Sequence, residues 1–276
     1  MDNLLLLGYK PVFLSSNQYL HRLKKKYQIK SGGYLGTLDP FAKGAMILAF
    51  GQYTRLLPHI KKPSKVYRAT LWLGIKSDSL DIENIKNVQE VPSVPLEKIH
   101  EVLQSLQGVI KYYPPKFSAK HVNGKRAYDL ARLGVEFTLK ESQMQIYAIK
   151  LLSYNHPFLS FEVRVSSGAY VRSLGDMIAE RLGSFGALSM LERVEDGGVR
   201  VVQREERELG VLEVLDYPIL KKEDQRLRDI IYHGKKTCLK NVKFGTYIVD
   251  FDDFFSIIEI AKDGSIQYLL NRINKC

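Results

Sequence analysis

The sequence predicts an α+β fold, with a mixed, largely antiparallel sheet, flanking helices and a small β-rich C-terminal appendage. Segments with strand and helix periodicity alternate along the chain without the regular rhythm of a parallel strand-helix-strand protein. Beyond residue 200 the composition shifts to short apolar segments, and Asp263-Gly264 is a hairpin signal between two of them. We therefore place a main domain at residues 1–210 and the appendage at residues 217–276.

The first elements follow from the spacing of apolar residues. Residues 16–27 carry an apolar stripe at helical spacing behind a Ser16 or Asn17 cap, which predicts a helix. Residues 65–75 alternate apolar and polar side chains, as a half-buried strand does. Residues 95–108 begin with proline and end with glycine around an apolar face, which is typical of a helix.

The later elements are shorter and more polar. Residues 112–134 are basic and contain prolines, so we expect a loop with a short helix near residues 128–133. The same patterns predict strands at residues 144–154, 158–174, 246–251, 254–260 and 265–273, a helix at residues 174–183, and a charged segment of helical character at residues 200–215.

Composition limits the function classes. The formal net charge is +11, from 41 Lys and Arg against 30 Asp and Glu, which suits a polyanionic partner but is also found on solvated surfaces. Two distant cysteines, Cys238 and Cys276, predict a reducing compartment and no disulfide framework. No segment approaches the roughly 20 apolar residues of a membrane span, so we expect a soluble, cytoplasmic protein with no membrane partner.

Several common site types lack their local signals. The chain contains no GxxxxGK[ST] loop, no strand-linked GxGxxG, no HExxH and no paired CxxC, which disfavours nucleotide-driven, dinucleotide and zinc chemistry. The acidic cluster Asp78, Asp81 and Glu83 lacks the spacing and glycine of an EF-hand, so we interpret it as a solvated turn. We expect no metal site.

One carboxylate stands in an unusual setting. In "SGGYLGTLDPFAKGAM", Pro40 restricts the backbone of Asp39 to extended geometry, and nearby glycines allow a second backbone to approach. From these residues alone, the first interpretation is a helix cap, with Asp39 starting a helix over residues 42–50. The alternative is a carboxylate nucleophile or base that acts without a metal.

Four motifs carry a family resemblance. "GTLDPFAKGAMILAFGQYTRL" resembles the GxLDPxAxGxL catalytic motif of the TruB family of tRNA pseudouridine synthases. "KVYRATLWLGIKSDSLD", "YPPKFSAKHVNGKRAYDLARLG" and "VSSGAYVRSLGDMIAERLG" resemble, in the same order, the family's tyrosine strand, its RNA-gripping insertion and its arginine segment. The resemblance implies the pseudouridine synthase fold and isomerisation of uridine 55 in the tRNA T-loop, with no cofactor.

The resemblance also assigns roles to single residues. Asp39 matches the essential aspartate, Tyr67 the active-site tyrosine that packs on the target base and takes part in proton transfer, and Arg172 the arginine that pairs with the aspartate. For an isolated strand tyrosine, core packing is the ordinary role, and for an isolated arginine it is phosphate contact or solvation. Among the remaining matches, Tyr170 and Leu191 line the uracil pocket and Lys10 lies near the site.

The insertion, at about residues 113–142, implies contact with the T-arm. The target uridine is stacked in folded tRNA, and flipping it out costs a few kcal/mol that base stacking and phosphate contacts offset. We expect Lys125 and Arg126 to contribute phosphate contacts, although a solvated loop is the simpler interpretation. The insertion carries six basic residues within a short stretch: Lys116, Lys120, His121, Lys125, Arg126 and Arg132.

The sequence departs from the family pattern in three places. Tyr34 replaces the histidine of GHTGTLDP, which wedges beside the flipped base, and an aromatic ring can fill the same gap by stacking. The opening D-K-P-x-G-x-T-S is "YKPVFLSS", which lacks the first acid and the glycine. "MLERVEDGGV" replaces basic groups with Glu192, Glu195 and Asp196, so we expect fewer phosphate contacts there.

Two alternatives remain open at this point. One is a non-catalytic tRNA-binding or tRNA-folding protein on the same scaffold, and the other is a synthase for a different RNA or within a guide-RNA complex. The C-terminal strands resemble a shortened PUA domain, although the acidic "DFDD" favours packing against the main domain instead. We expect a monomer with no obligatory protein partner.

Overall fold

Within the residues that the structure describes, the fold contains two large sheets, two small two-stranded sheets and six α-helices. The computed structural model describes residues 3–60, 64–202, 204–221, 225–239 and 241–275. Cys276 lies outside these residues, and Cys238 is a free, exposed thiol. None of the helices in these ranges has the length and apolar character that a membrane crossing requires.

The elements alternate along the chain as the periodicity predicts. The helices are α1 (Ser16–Tyr27), α2 (Leu96–Ser105), α3 (Ala127–Arg132), α4 (Val171–Arg181), α5 (Val211–Val214) and α6 (Gln225–Tyr232), with 3₁₀ turns at Gly51–Leu56 and Ile82–Asn84. The strands are β1 (Leu4–Lys10), β2 (Gly32–Tyr34), β3 (Lys43–Phe50), β4 (Lys65–Leu73), β5 (Ile75–Ser77), β6 (Ile85–Val88), β7 (Gly108–Tyr112), β8 (His121–Val122), β9 (Lys125–Arg126), β10 (Ser142–Asn155), β11 (Phe158–Val165), β12 (Gly186–Asp196), β13 (Val199–Arg200), β14 (Arg207–Glu208), β15 (Ile219–Lys221), β16 (Gly245–Asp250), β17 (Phe254–Ile260) and β18 (Ile266–Asn274).

The central sheet is mixed and largely antiparallel, which confirms the predicted fold class. Its strand order is β14-β1-β3-β12-β4-β11-β10-β7. Among the described strands of this path, the β3–β12 pair is parallel and the other neighbours are antiparallel. The strands β3, β12 and β4 stand side by side in the middle, so their loops and inward-facing residues meet at one place.

Helices cover one face of this sheet. The apolar stripe of α1 buries Tyr19, Leu20 and Leu23 against β1 and β3, and α2 and α4 complete the same core. The cap of α1 is Ser15, one residue before the predicted caps, and it forms a capping box with Gln18. Burial of this continuous apolar layer is the main stabilising contribution to the domain.

The C-terminal sheet packs on the other face. Its strand order is β15-β16-β17-β18, and Ile248, Phe255 and Ile257 bury against Leu5 and Ile47 of the central sheet. The helix α6 covers the outer side of the small sheet in a separate apolar cluster. The strands predicted after residue 245 are therefore present, and the region that they form packs against the main sheet.

Three predictions about single elements were wrong. Residues 43–50 form the strand β3 and not a helix, because this apolar run is buried on both faces of the sheet, as in central strands. The strand predicted at residues 158–174 ends at Val165, and α4 begins at Val171 after the glycine turn. Among the described residues of the segment 200–215, only Val211–Val214 is helical, and the short strands β13 and β14 pair along the sheet instead.

Candidate active site

Asp39 lies in a loop between β2 and β3, and hydrogen bonds from the buried side chain of Lys10 hold this loop. The ammonium group of Lys10 is buried and donates hydrogen bonds to the carbonyl oxygens of Pro11 (2.9 Å), Leu14 (2.7 Å), Pro40 (3.3 Å) and Ala42 (2.6 Å). Burial lowers the pKa of Lys10 to about 8, and the Asp39 carboxylate acts in the opposite direction. The structure thus places Lys10 under the loop, as a residue that positions it, and not in a substrate cavity.

The helix α1 is joined to the same loop. The hydroxyl oxygen of Ser16 accepts a hydrogen bond from the Leu38 amide (2.9 Å) and donates one to the Leu38 carbonyl (3.0 Å). The Ala42 amide donates to the Asp39 carbonyl across the turn that Pro40 forms (3.1 Å). Asp39 does not cap a helix, so the capping interpretation was wrong. Its side chain is instead 28% exposed and turned toward Arg172.

Arg172 connects three parts of the site. Its Nε lies 2.9 Å from Asp39 Oδ2, and its Nη1 lies 3.1 Å from Asp81 Oδ2. The guanidinium also donates to the carbonyl oxygens of Ser79 (2.7 Å) and Phe117 (2.8 Å), the second of which belongs to the insertion. Because the side chain is almost fully buried and the contacts with Ser79, Asp81 and Phe117 fix its plane, Arg172 presents a fixed positive charge beside the Asp39 carboxylate.

Asp81 corrects the solvated-turn interpretation of the acidic cluster. Its side chain is only 1% exposed and accepts hydrogen bonds from the Ser79 hydroxyl and the Glu83 amide. Burial raises the pKa of Asp81, and the Arg172 guanidinium opposes that rise. Asp78 does lie in a solvated turn, where it pairs with the exposed Lys86. The resemblance of "KSDSLD" to the family's acidic strand end was the signal that could have identified Asp81.

Tyr67, Tyr170 and Leu191 line one cavity of about 260 Å³ together with Asp39, so the structure brings these predicted residues together. Tyr67 projects from β4 toward Arg193 in the neighbouring β12. Burial raises the pKa of the Tyr67 phenol, and the Arg193 guanidinium acts against that rise. The cavity therefore combines aromatic and aliphatic walls with a carboxylate at its edge, which is a lining suited to a small planar ring.

A buried ion cluster behind Tyr67 was not predicted. Asp196 Oδ2 lies 3.2 Å from Nη2 of Arg193, and Asp196 Oδ1 lies 3.3 Å from Nζ of Lys65. Arg193 also donates from Nε to the Ala45 carbonyl (2.6 Å), so it joins β12 to the strand that follows the Asp39 loop. We call Lys65, Asp196 and Arg193 the buried triad. The alternation of β12 could have indicated Arg193, since it shares a face with Leu191.

The acids at the end of β12 do not face solvent as a group. Glu195 forms a two-point ion pair with Arg164 (2.7 and 3.2 Å), and Glu192 accepts a hydrogen bond from the Tyr9 hydroxyl (2.6 Å). Asp196 belongs to the buried triad. The three acids that replace the basic residues of the family motif therefore pair mainly with other residues of this protein.

A second cavity of about 370 Å³ meets the first at Asp39. One wall contains Ser15, Asn17 and Tyr34, and the Tyr34 hydroxyl donates to Asn17 Oδ1 (3.2 Å). Another part of the lining belongs to the insertion and includes Arg126, whose guanidinium also donates to the carbonyl oxygen of a neighbouring insertion residue (2.6 Å). Tyr34 and Arg126 therefore line the same cavity.

The insertion exposes its positive charge. Lys125 lies in β9 on a short hairpin with β8 and is exposed, without being part of the cavity lining. The other basic residues of the insertion are likewise exposed or partly exposed: Lys116, Lys120, His121, Arg126 and Arg132. Among the residues that the structure describes, no three His, Cys, Asp or Glu side chains are grouped to hold a metal ion.

Comparison with known proteins gives relatives over the whole chain. Residues 24–171 match the family described as TruB family pseudouridylate synthase (N terminal domain). A tRNA pseudouridine synthase B of Helicobacter hepaticus is 56% identical over 271 residues, which cover 98% of this chain and 95% of that protein. A tRNA pseudouridine synthase B of Campylobacter jejuni is 46% identical over 278 residues, 99% of this chain and 100% of that protein.

Solved structures support the fold. A Cbf5-Nop10-Gar1 complex contains a chain that superposes with a TM-score of 0.66 at 18% identity, covering 99% of this chain and 84% of that chain. A structure of an H/ACA RNP bound to a substrate RNA containing 2′-deoxyuridine gives a TM-score of 0.68 at 16% identity, with coverage of 99% and 85%. At such identities the likeness concerns the fold alone. Together with the family match and the full-length relatives, it shows that the chain belongs to the TruB family of pseudouridylate synthases.

Proposed function

We propose that the protein isomerises uridine 55 in the T-loop of tRNA to pseudouridine, with Asp39 as the acting carboxylate and with no cofactor. The observation that carries the proposal is the position of Asp39, ion-paired to Arg172 and exposed where the two cavities meet. The names of the full-length relatives support tRNA as the substrate. The exposed basic residues of the insertion are suited to the phosphates of a tRNA arm.

The reaction needs no redox agent and no water. The N1–C1′ bond of uridine breaks, the uracil rotates, and a C5–C1′ bond forms, after which C5 loses a proton and N1 gains one. Asp39 acts either by covalent attack or by promoting a glycal intermediate, and both routes place its carboxylate next to the sugar or the base. Arg172 would keep the Asp39 carboxylate directed at the cavity throughout the reaction. The other contacts of Arg172, with Ser79, Asp81 and Phe117, do not involve Asp39, so they would hold the guanidinium in place while Asp39 reacts.

The smaller cavity is the proposed uracil site. Tyr67 would pack on the flipped base and take part in proton transfer, and Tyr170 and Leu191 would enclose its edges. The phenol of Tyr67 is suited to transfer a proton rather than to carry a charge, since burial raises its pKa. Lys10 would act through the loop that it fastens, as a positioning residue.

The larger cavity is the proposed entry for the RNA. A stacked uridine must leave the T-loop to reach Asp39, at a cost of a few kcal/mol. Tyr34 is placed to occupy the gap that the base leaves, since it lines this cavity beside the catalytic loop. Lys125 and Arg126 would hold phosphates from the insertion, at about residues 113–142.

We further propose the organisation of the whole chain. Residues 1–210 form the catalytic domain and residues 217–276 a reduced PUA-like domain, and the burial of the small sheet on the central one suits a structural role for it. The protein acts in the cytoplasm as a monomer without an obligatory protein partner. Size-exclusion chromatography with light scattering tests the oligomeric state.

The decisive experiment maps pseudouridine in total tRNA from cells with and without this protein. We expect pseudouridine at position 55 to disappear with the protein and to return with the wild-type gene, but not with Asp39→Asn. An unchanged modification at position 55 would show that the proposed target is wrong. Full restoration by Asp39→Asn would instead support the non-catalytic alternative.

A further inference from the structure

Phe13 combines an unfavourable backbone conformation with an unusual exposure. It occupies the turn that follows β1, with φ of 60°, in the left-handed region that glycine adopts without cost and bulky side chains avoid. Its side chain is 66% exposed. Of the buried apolar clusters that the described residues form, none includes Phe13. The phenylalanine thus contributes strain and exposed apolar surface without contributing to the core.

The same turn is held rigidly against the Asp39 loop. The Phe13 amide donates to the carbonyl oxygen of Pro40, the residue after Asp39, at 2.7 Å. The Lys10 ammonium binds the carbonyl oxygens of Pro11 and Leu14, on either side of the turn. The backbone that carries the Phe13 ring is therefore fixed from both sides, next to the proposed catalytic carboxylate.

The surroundings indicate what the ring contacts. The larger cavity is lined by Ser15, two residues after Phe13, by Pro40, whose carbonyl oxygen the Phe13 amide binds, and by Tyr34 and residues of the basic insertion. An RNA loop that delivers a uridine to Asp39 through this cavity would bring its neighbouring nucleotides close to the turn that carries Phe13. A rigid, exposed aromatic ring beside a basic groove is a platform on which a nucleobase stacks.

We propose that Phe13 stacks on a base of the RNA substrate adjacent to the uridine that is isomerised. The proposal rests on the proposed function, because it takes the larger cavity as the RNA entry. Strained residues with no folding role are concentrated at functional sites, where binding retains them. In this chain Phe13 therefore acts as a substrate-contacting residue, on the turn that is hydrogen-bonded to the Asp39 loop.

The test compares substitutions at Phe13 in the full-length protein, with a T-arm hairpin RNA as the probe. Phe13→Gly is expected to raise the dissociation constant about tenfold, as the loss of one stacked base does. Phe13→Trp, which keeps a planar ring, should bind within about twofold of wild type, whereas Phe13→Leu should bind like Phe13→Gly. The midpoint of thermal unfolding of Phe13→Gly should equal or exceed that of wild type, because glycine relieves the strain.

Phe244 provides the matched control. It is exposed to a similar degree (63%) but belongs to the C-terminal region, where Lys262 lies over its ring. Phe244→Gly should leave the dissociation constant for the hairpin within about twofold of wild type, because the stacked RNA base lies on Phe13 and not on Phe244. An equal loss in Phe244→Gly and Phe13→Gly would overturn the proposal, as would wild-type affinity in Phe13→Gly or Phe13→Leu.

The failure of the proposed function gives a different result. Pseudouridine formation by the wild-type protein in the same hairpin is measured first. If the wild-type protein forms none, the proposed target is wrong, and a weaker affinity in Phe13→Gly still establishes the stacking contact. If the wild-type protein is active and Phe13→Gly binds and reacts normally, the stacking contact alone is refuted.

Discussion

Replacing Asp196 with asparagine tests whether the buried triad stabilises the part of the fold behind Tyr67 and the Asp39 loop. Asp196 is fully buried between the Lys65 ammonium and the Arg193 guanidinium, at 3.3 and 3.2 Å. The substitution keeps the shape of the side chain but removes the charge between the two cations. Asp196→Asn therefore leaves two neighbouring positive charges in the interior without the carboxylate that balances them.

The magnitude follows from the contacts that remain. Removing one partner of a buried ion pair costs about 3–5 kcal/mol of the free energy of unfolding. Arg193 keeps the carbonyl oxygens of Ala45, Thr37 and Gly36 at 2.6, 3.5 and 3.4 Å, so we expect the lower end of that range. In a chain of this length each kcal/mol lowers the melting temperature by roughly 2–4 °C, which gives a decrease of about 6–12 °C.

The neighbouring acid is the control. Glu195 also pairs with an arginine, but Arg164 is 40% exposed, so the pair is screened by solvent. Glu195→Gln should lower the free energy of unfolding by about 1 kcal/mol or less. Adding Lys65→Met to Asp196→Asn removes one of the two cations and should recover part of the lost free energy of unfolding. Substitutions of residues in contact are not additive, and a double-mutant cycle measures the difference.

The assay is urea unfolding followed by circular dichroism, with the slope against urea used to check that the same surface is exposed in each variant. If Asp196→Asn and Glu195→Gln lose equal amounts, the burial argument is refuted. If Lys65→Met adds to the loss instead of reducing it, the repulsion between the cations is not the cause. In either case the charge of Asp196 would not be what stabilises this part of the fold.

Four further predictions concern the site and its surroundings. Asp39→Asn should abolish pseudouridine formation in single-turnover assays while RNA affinity changes by less than about tenfold, since only the reacting carboxylate is removed; turnover above a percent of wild type would contradict the assignment. Lys125→Ala with Arg126→Ala should lower the slope of log affinity against log salt by roughly one for each phosphate that is no longer bound, and an unchanged slope would place the RNA elsewhere. Tyr34→His and Tyr34→Phe should keep rates within about tenfold of wild type, while Tyr34→Ala should lose more on a folded T-arm than on an unstructured RNA; equal losses on both would exclude a wedge role. Burial raises the pKa of the Tyr9 phenol, so above about pH 10 Tyr9 loses its proton in the unfolded state before it does so in the folded state, and the free energy of unfolding falls as the pH rises. Tyr9→Phe should make that fall with pH shallower, measured by urea unfolding at a series of pH values. An unchanged dependence on pH would refute this prediction.

The sequence predicted those helices and strands whose apolar pattern fits one type of secondary structure and not the other. The stripe of α1 and the alternation of β4 each place one apolar face toward a core, and the structure has a helix and a strand there. β3 was missed because eight consecutive residues are nearly all apolar or small, and such a run fits a buried helix as well as a buried strand. Only the neighbours β1 and β12, far away in sequence, decide between them.

The family motifs, and not the distribution of charged residues along the sequence, indicated the residues that line the two cavities. The family resemblance indicated Asp39, Tyr67, Arg172 and Tyr170, which depend on local sequence. The motif resemblance could have identified Asp81 as a site residue, but the spacing of charges along the chain could not show that Asp81 and Asp196 are buried, because an acid becomes buried only where a distant cation meets it. Arg172 is 91 residues from Asp81 in the chain, so no local pattern contains that pair.

The arrangement of charges supports the proposal that Asp39 is the one acid among several that reacts. Asp81 and Asp196 are 1% and 0% exposed and are held by buried cations, whereas Asp39 is 28% exposed at the edge of both cavities. Arg172 keeps a carboxylate and two carbonyl oxygens as partners even when its contact with Asp39 changes. Under the proposed function, Asp39 would engage a substrate without leaving a buried guanidinium unpaired, which would cost several kcal/mol. Asp81 would then act as a positioning residue that keeps Arg172 paired and does not itself react with the substrate.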